Sequence, residues 1–378
     1  MIETPDFSSI RPYEDHEIHE VFKRLVKEKT FLELIHFLYP GYPTEALTQK
    51  FTNINTIKEF QFEVIYPYVK EVLKNTTEGF DCTGLDKLNP KSAYLFISNH
   101  RDIILDSAIL NILLVGNGFD TTEIAIGDNL LILPWITDLV KLNRSFIVKR
   151  NIPVRQMMDA STLLSKYIRH TLKEKNRSIW IAQREGRSKD GDDRTQVSLL
   201  KMLNISGSGA LAHNFKELQI VPVSISYELD PCDYLKAYEF QQKRDNPNYS
   251  KTQADDLKHM GTGLRGRKGR VHFSIGTPID AELDTIAQLG NKSDQLQALA
   301  ESIDNQIHSN YKLWPGNFVA CDIVSNSTEH ADKYTEADKA KYLEYINEHI
   351  SRAKEADTEF IFNTLMEMYA NPVKNFYK

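Results

Sequence analysis

From Phe80 to Ile275 short apolar runs alternate with longer segments of helical periodicity, and this alternation leaves few architectures open. Runs at 80–84, 93–98, 122–126, 145–148, 178–182, 219–227 and 270–275 read as strands. Between them, 103–115, 153–173 and 195–213 carry apolar residues three and four apart, the spacing of a helix. In the second of these Pro153 suits a first turn, and Val154, Met157, Met158, Ser161, Leu164, Ile168 and Leu172 make one face. The pattern predicts an α/β fold, a mainly parallel sheet flanked by helices. In such sheets ligands sit outside the carboxyl ends of the strands. The residues just after each apolar run are therefore the ones to search for chemistry.

Helical segments extend the sheet region at both ends, giving a division into 1–78, 79–282 and 283–378. In the first, Ile18, Val21, Phe22, Leu25 and Val26 lie on one helix face, with Asp15 as its cap. An aromatic stretch from Phe31 to Tyr39 stops at Pro40-Gly41 and is expected to pack on the main domain rather than in a membrane interface. A helix over 57–73 is expected to bend near Pro67. In the last, helices are expected at 283–312, 335–353 and 357–370, with a hinge-like Trp314-Pro315-Gly316-Asn317 between the first two and Thr335 as a cap.

At 378 residues, 41% hydrophobic and 26% charged, the chain can bury a sizeable core, which excludes disordered and fibrous classes. A net charge of −6 argues against a dedicated nucleic-acid binder. Cys82, Cys232 and Cys321 are odd in number and fit neither a metal spacing nor a disulfide framework, so a reducing compartment is expected. Met1 to Asp6 carries no export signal. No apolar stretch reaches the roughly 18 residues a bilayer requires; the best, Ile124 to Ile136, is broken by Asp128 and Pro134. Cytoplasmic placement, with any membrane association peripheral on the cytoplasmic face, follows.

Chemistry gathers in four segments. The run Ala93 to Ile97 leads into Asn99-His100-Arg101-Asp102, with Asp106 four residues further on. A histidine at a strand-to-helix turn, oriented by a carboxylate, can take a proton from a substrate hydroxyl. The run Ser145 to Val148 delivers Lys149 and Arg150, and Ile179 to Ala182 delivers Gln183-Arg184-Glu185-Gly186-Arg187-Ser188. The fourth is Ile220-Val221-Pro222-Val223-Ser224-Ile225-Ser226-Tyr227-Glu228. Together they describe a histidine base beside arginines whose planar forks match phosphate oxygens.

These segments, in this order, resemble the phospholipid/glycerol acyltransferase family, which moves a fatty acyl group from a thioester to a glycerophosphate hydroxyl. The family's Asn-His, four residues, Asp is similar to Asn99-His100 and Asp106; its apolar run ending in arginine to Phe146–Arg150; its Glu-Gly-x-Arg-Ser to Glu185-Gly186-Arg187-Ser188; its apolar-Pro-apolar strand to Val221-Pro222-Val223. Ile225-Ser226-Tyr227-Glu228 looks most like the glycerol-3-phosphate branch, and Val271 to Ile279 resembles a strand and Gly-x-Pro turn of such enzymes. The resemblance covers about residues 80 to 280.

It implies a glycerolphosphate acyltransferase-like α/β fold and a role in early phospholipid biosynthesis. His100 would be the base and Asp106 its partner, with Arg101, Arg150, Glu185, Gly186 and Arg187 binding substrate. The donor would be acyl-coenzyme A or acyl carrier protein and the acceptor a phosphorylated alcohol. Neither metal nor organic cofactor is implied. Two departures leave choices open. Five residues separate His100 from Asp106 instead of four, and one extra residue turns a helical side chain by about 100°; Asp102 is the rival partner. The third motif is one residue short, so Arg184 is the alternate to Arg187.

Other readings are weaker. His100-Arg101-Asp102 begins a kinase catalytic loop, but position 107 is serine where that loop needs asparagine. Gly261 to Gly269 lacks the Gly-Lys-Ser/Thr of a P-loop, and Gly207-Ser208-Gly209 falls short of a nucleophile elbow. The basic cluster Arg265, Arg267, Lys268 and Arg270 suggests a non-enzymatic module for anionic lipid or RNA. As part of an enzyme it would be a membrane-surface contact. An acyltransferase with a non-glycerol acceptor is the remaining alternative.

Overall fold

The seven apolar runs form one sheet. The computed structural model describes residues 5–39, 41–150, 152–353 and 356–378; residues 1–4, where no export signal is read, and the Pro40 helix stop lie outside them. The strands are β1 (Thr77–Thr83), β2 (Leu95–Ser98), β3 (Glu123–Gly127), β4 (Ser145–Val148), β5 (Ile179–Ala182), β6 (Ile220–Tyr227) and β7 (Gly269–Ile275). Their order across the sheet is β1-β7-β6-β2-β5-β3-β4. Among the described residues β6 and β7 pair antiparallel and the other ladders are parallel, so β2 to β6 all end at the same edge. The sheet is mainly parallel and flanked by helices, as the alternation predicts.

Strand side chains alternate between two cores. Leu95, Ile97, Ile179 and Ile181 face one side, where they meet Leu164, Tyr167 and Ile168 of the helix Val154–Lys173 and Leu299 and Ile303 of the helix Lys292–Ser309. Tyr94, Phe96, Trp180, Val221 and Val223 face the other, against Leu105, Ile109 and Leu110 of the helix Leu105–Gly116. Burying each such side chain contributes about 1.5–3 kcal/mol. With both faces covered, the central strands are continuous apolar runs.

Several local expectations change. The helix Val154–Lys173 buries only its later turns; Val154 is 83% exposed and Met158 66%, so the proposed single face is not one buried stripe. The 195–213 segment is two helices, Val197–Asn204 and Leu211–Lys216, parted at Gly207-Ser208-Gly209, and 283–312 likewise divides into Ala281–Ile286 and Lys292–Ser309. Asp15 does not cap Ile18–Leu25: its carboxylate accepts from Ile57 N–H at the start of another helix. The bend near Pro67 is a π-helical turn, Gln61–Ile65, between Ile57–Phe60 and Tyr66–Thr76. A wider turn absorbs the donor and space that proline denies an α-helix.

Phe31 and Ile35 are buried with Val21, Phe22, Phe51 and Leu142, so the N-terminal helices build a core of their own against the helix Pro134–Leu142. Trp314-Pro315-Gly316-Asn317 is no hinge. It starts the helix Pro315–Ser325, with Asn317 Oδ1 accepting from Trp314 N–H and Gly316 tight against the Tyr342 ring. That helix, Glu336–Arg352 and Thr358–Phe376 share a further core beyond the end of β6.

The basic cluster also disperses. Lys268 is fully buried, its ammonium donating to the Thr76 hydroxyl and the Gly266 carbonyl, and burial pushes it down to about 8. Arg267 pairs with Glu78 and Arg270 with Glu228, and Arg265 and Arg267 line a cleft they share with Glu344 and Glu348. Lys268 is therefore lost to the cluster, and the cleft lined by Arg265 and Arg267 holds Lys341 and Arg352 as well as the two glutamates.

Candidate active site

At the end of β2 the chain stops pairing by backbone alone. Asn99 is buried, and its side-chain amide continues the ladder, accepting from Ile225 N–H at 2.7 Å and donating to Ile225 O at 2.9 Å. That bond holds the next residue, His100, at the sheet edge. Trp180 of β5 lies edge-on to the imidazole with centroids 5.3 Å apart, its indole N–H spent on Ser98 Oγ.

His100 Nδ1 lies 2.7 Å from Asp106 Oδ2. The same oxygen accepts from the Arg101 and Asp102 N–H groups at 2.6 and 3.0 Å. A carboxylate can only accept, so the imidazole proton sits on Nδ1 and Nε2 keeps its lone pair. Asp106 is fully buried while the His100 side chain is 14% exposed. The Tyr227 phenol lies beyond Asp106; burial, then the Asp106 and Asp102 charges, raise it well above its ordinary value.

The extra residue between His100 and Asp106 is taken up before the helix begins at Leu105. Asp102 shapes that turn: its Oδ1 accepts from Ile104 N–H and Leu105 N–H at 2.9 and 2.8 Å. Its own carboxyl is raised by burial and then by the Asp106 charge. Asp102 is thus occupied with the turn and Asp106 with the imidazole. Asp102→Ala should cost about 0.5–2 kcal/mol of stability, the usual loss of a cap, while Asp106→Asn should cost mainly turnover. Urea midpoints measured beside rates check the division, and a turnover loss with Asp102→Ala alone would refute it.

The cationic residues lie at the ends of β4 and β5. Arg150 reaches Glu185 at 3.5 Å and donates its N–H to Asp128, linking three strand ends. Gly186 takes a positive φ of 72°, where its lack of a Cβ matters, and turns the chain inward. Arg187 is buried, Nη2 reaching His259 Nδ1 at 2.6 Å, and Ser188 N–H donates to the His100 carbonyl at 2.7 Å. Arg184, the alternate, is committed to Asp190 and Ser188. Arg101 points into the interior, donating to Asp193 at 2.6 Å with its side chain 11% exposed. The structure therefore brings His100, Asp106, Arg150, Glu185 and Arg187 to one edge and turns the Arg101 guanidinium away.

Three residues given no role in the sequence reading complete the site. Tyr227 faces Asp106, His259 faces Arg187, and Lys236 lies beneath the turn. Lys236 has no exposed surface; its ammonium pairs with Asp230 and donates to the Arg101 carbonyl at 3.1 Å. Asp233, three residues before it, accepts from Tyr369 at 2.8 Å and pairs with His349, both from the C-terminal helices. No periodic pattern marks these residues, and only Tyr227 lies within a recognisable motif.

A turn-held histidine–aspartate pair with arginines at neighbouring strand ends, on a helix-covered parallel sheet, has the chemistry to take up a proton and to attract an anion. Residues 79–226 match the family model described as Acyltransferase. The match spans the stretch from β1 to β6 that holds the Asn99-His100 turn and the Arg150 and Arg187 strand ends. Among solved structures the chain is similar to the 1-acyl-sn-glycerophosphate (LPA) acyltransferase, PlsC, from Thermotoga maritima, with 11% identity, 76% of this chain and 92% of that chain covered, and a TM-score of 0.34. No curated protein matches. Among the described residues no helix is long and apolar enough to cross a membrane.

Proposed function

We propose that the chain transfers a fatty acyl group from an acyl-thioester, acyl-coenzyme A or acyl carrier protein, to a hydroxyl of a glycerophosphate or lysophospholipid. The observation that carries this is the 2.7 Å contact between Asp106 Oδ2 and His100 Nδ1, which leaves Nε2 free to accept a proton. In this reading the acceptor hydroxyl gives its proton to Nε2 as its oxygen attacks the thioester carbonyl. The tetrahedral adduct collapses, the carbon–sulfur bond breaks, and the departing thiolate takes the proton back. One ester forms, one thiol is released, and no acyl-enzyme, metal or organic cofactor takes part. Asp106 keeps the imidazole tautomer, while Arg150 and Arg187 hold the acceptor phosphate and turn an encounter into a positioned reaction. An acylated product also favours peripheral contact with a lipid surface.

The test is a panel of acceptors with one acyl-thioester, read as free thiol. Release that requires glycerol 3-phosphate or lysophosphatidate supports the reading. Release only with a non-phosphorylated alcohol, or none with any acceptor, overturns it.

A further inference from the structure

Arg187 is a buried cation with an unfilled valence. Its Nη1 has no hydrogen-bond partner among the described residues, and Nη2 meets not a carboxylate but the imidazole of His259. Leaving a charged donor unpaired in the interior is costly. Guanidinium can only donate, so His259 Nδ1 accepts and the imidazole proton sits on Nε2, a second donor. Burial first, then the positive charges of Arg187, Lys251, Lys236 and Lys189, hold His259 neutral, pushing it down to about 2. The carboxylates that face Arg187 are engaged elsewhere: Asp102 with the turn N–H groups, Asp230 with Lys236 and Cys232 N–H. Positive charge converges where the Arg187 Nη1 donor lacks an acceptor, and His259 Nε2 adds a second donor beside it.

His259 is carried by the helix Gln253–Arg265, beyond the family-matched 79–226. That helix lies against the His100 turn, since a Cβ on Gly263 would fall 2.1 Å from Asp102 Oδ2. Resting on the acyl-transfer reading, we propose that His259 is a second ligand of the acceptor phosphate, donating from Nε2 while Arg187 donates from Nη1, so that this helix forms one wall of the acceptor site. A phosphate supplies the acceptor oxygen that Arg187 Nη1 lacks and another for the His259 Nε2 donor.

The test combines binding and selectivity. Calorimetry with glycerol 3-phosphate measures affinity in the wild type, His259→Ala and His259→Gln, each first checked for an unchanged melting temperature. Turnover with a phosphorylated and a non-phosphorylated acceptor gives a selectivity ratio. His259→Ala should weaken glycerol 3-phosphate binding and lower that ratio by about 10- to 100-fold, the loss of one charge-assisted hydrogen bond, mostly through KM. His259→Gln, which keeps a donor, should recover part of both. Wild-type affinity in both variants, or equal losses with the two acceptors, overturns the proposal. Absence of acyl transfer by the wild type sinks the acyl-transfer reading instead, and the binding comparison still decides whether His259 holds phosphate.

Discussion

Replacing His100 by alanine should reduce acceptor-dependent thiol release by about 10²- to 10⁴-fold, the range expected for losing a general base. The fold should survive. Asp106 Oδ2 keeps the Arg101 and Asp102 N–H groups when the imidazole is gone, so the buried carboxylate is not left bare. The Asn99 bonds that anchor the turn to β6 do not involve the imidazole. A normal urea midpoint with lost release is therefore the expected pair of results. Full release by His100→Ala would remove His100 from the mechanism, and a collapsed midpoint would mean that the residue is structural.

The second large effect lies beneath the turn. Lys236→Met should destabilise the protein by about 3–5 kcal/mol, because removing one partner of a buried ion pair strands the other. Burial pushes the Asp230 carboxyl up, but the Lys236 ammonium outweighs it and holds the group below its ordinary value. A carboxyl depressed in the folded state contributes stability above its unfolded pKa, and that contribution disappears as pH falls through the folded value. The wild type should accordingly lose stability on acidification below the ordinary carboxylate range, and Lys236→Met should lose this component. Adding Asp230→Asn to Lys236→Met should restore part of the midpoint, since the stranded charge is then gone. Chemical denaturation across pH measures all three variants, and a double variant no better than the single would refute the pairing argument.

The central strands were legible because two-sided burial makes a strand apolar along its length, as in β2 and β5, whereas the half-exposed edge strand β1 offered only Phe80 and Cys82 among polar residues. The turn was legible because Asn99, His100, Asp102 and Asp106 lie close together along the chain. Whether Asp102 or Asp106 meets the imidazole was not, since the answer depends on where the helix starts, and Asp102 itself sets that by binding the Ile104 and Leu105 N–H groups. Lys236 and His259 were invisible for another reason. They approach the turn from segments far along the chain, and a single polar contact across such a distance leaves no periodicity. The 265–270 cations misled because adjacency in sequence says nothing of accessibility: Lys268 turns inward to satisfy backbone carbonyls while its neighbours pair with different strands.

The Lys236 ammonium holding the Arg101 carbonyl has a consequence for how this protein can be exchanged with relatives. The motif-bearing stretch ends at residue 226, yet the turn is braced by Lys236 and, through Asp233, by Tyr369 and His349. A chimera that imported only residues 79–226 from another protein matching the same family model would bring the motif residues without their foundation. The smallest transplantable unit is the motif block together with the helical layer that bears on it.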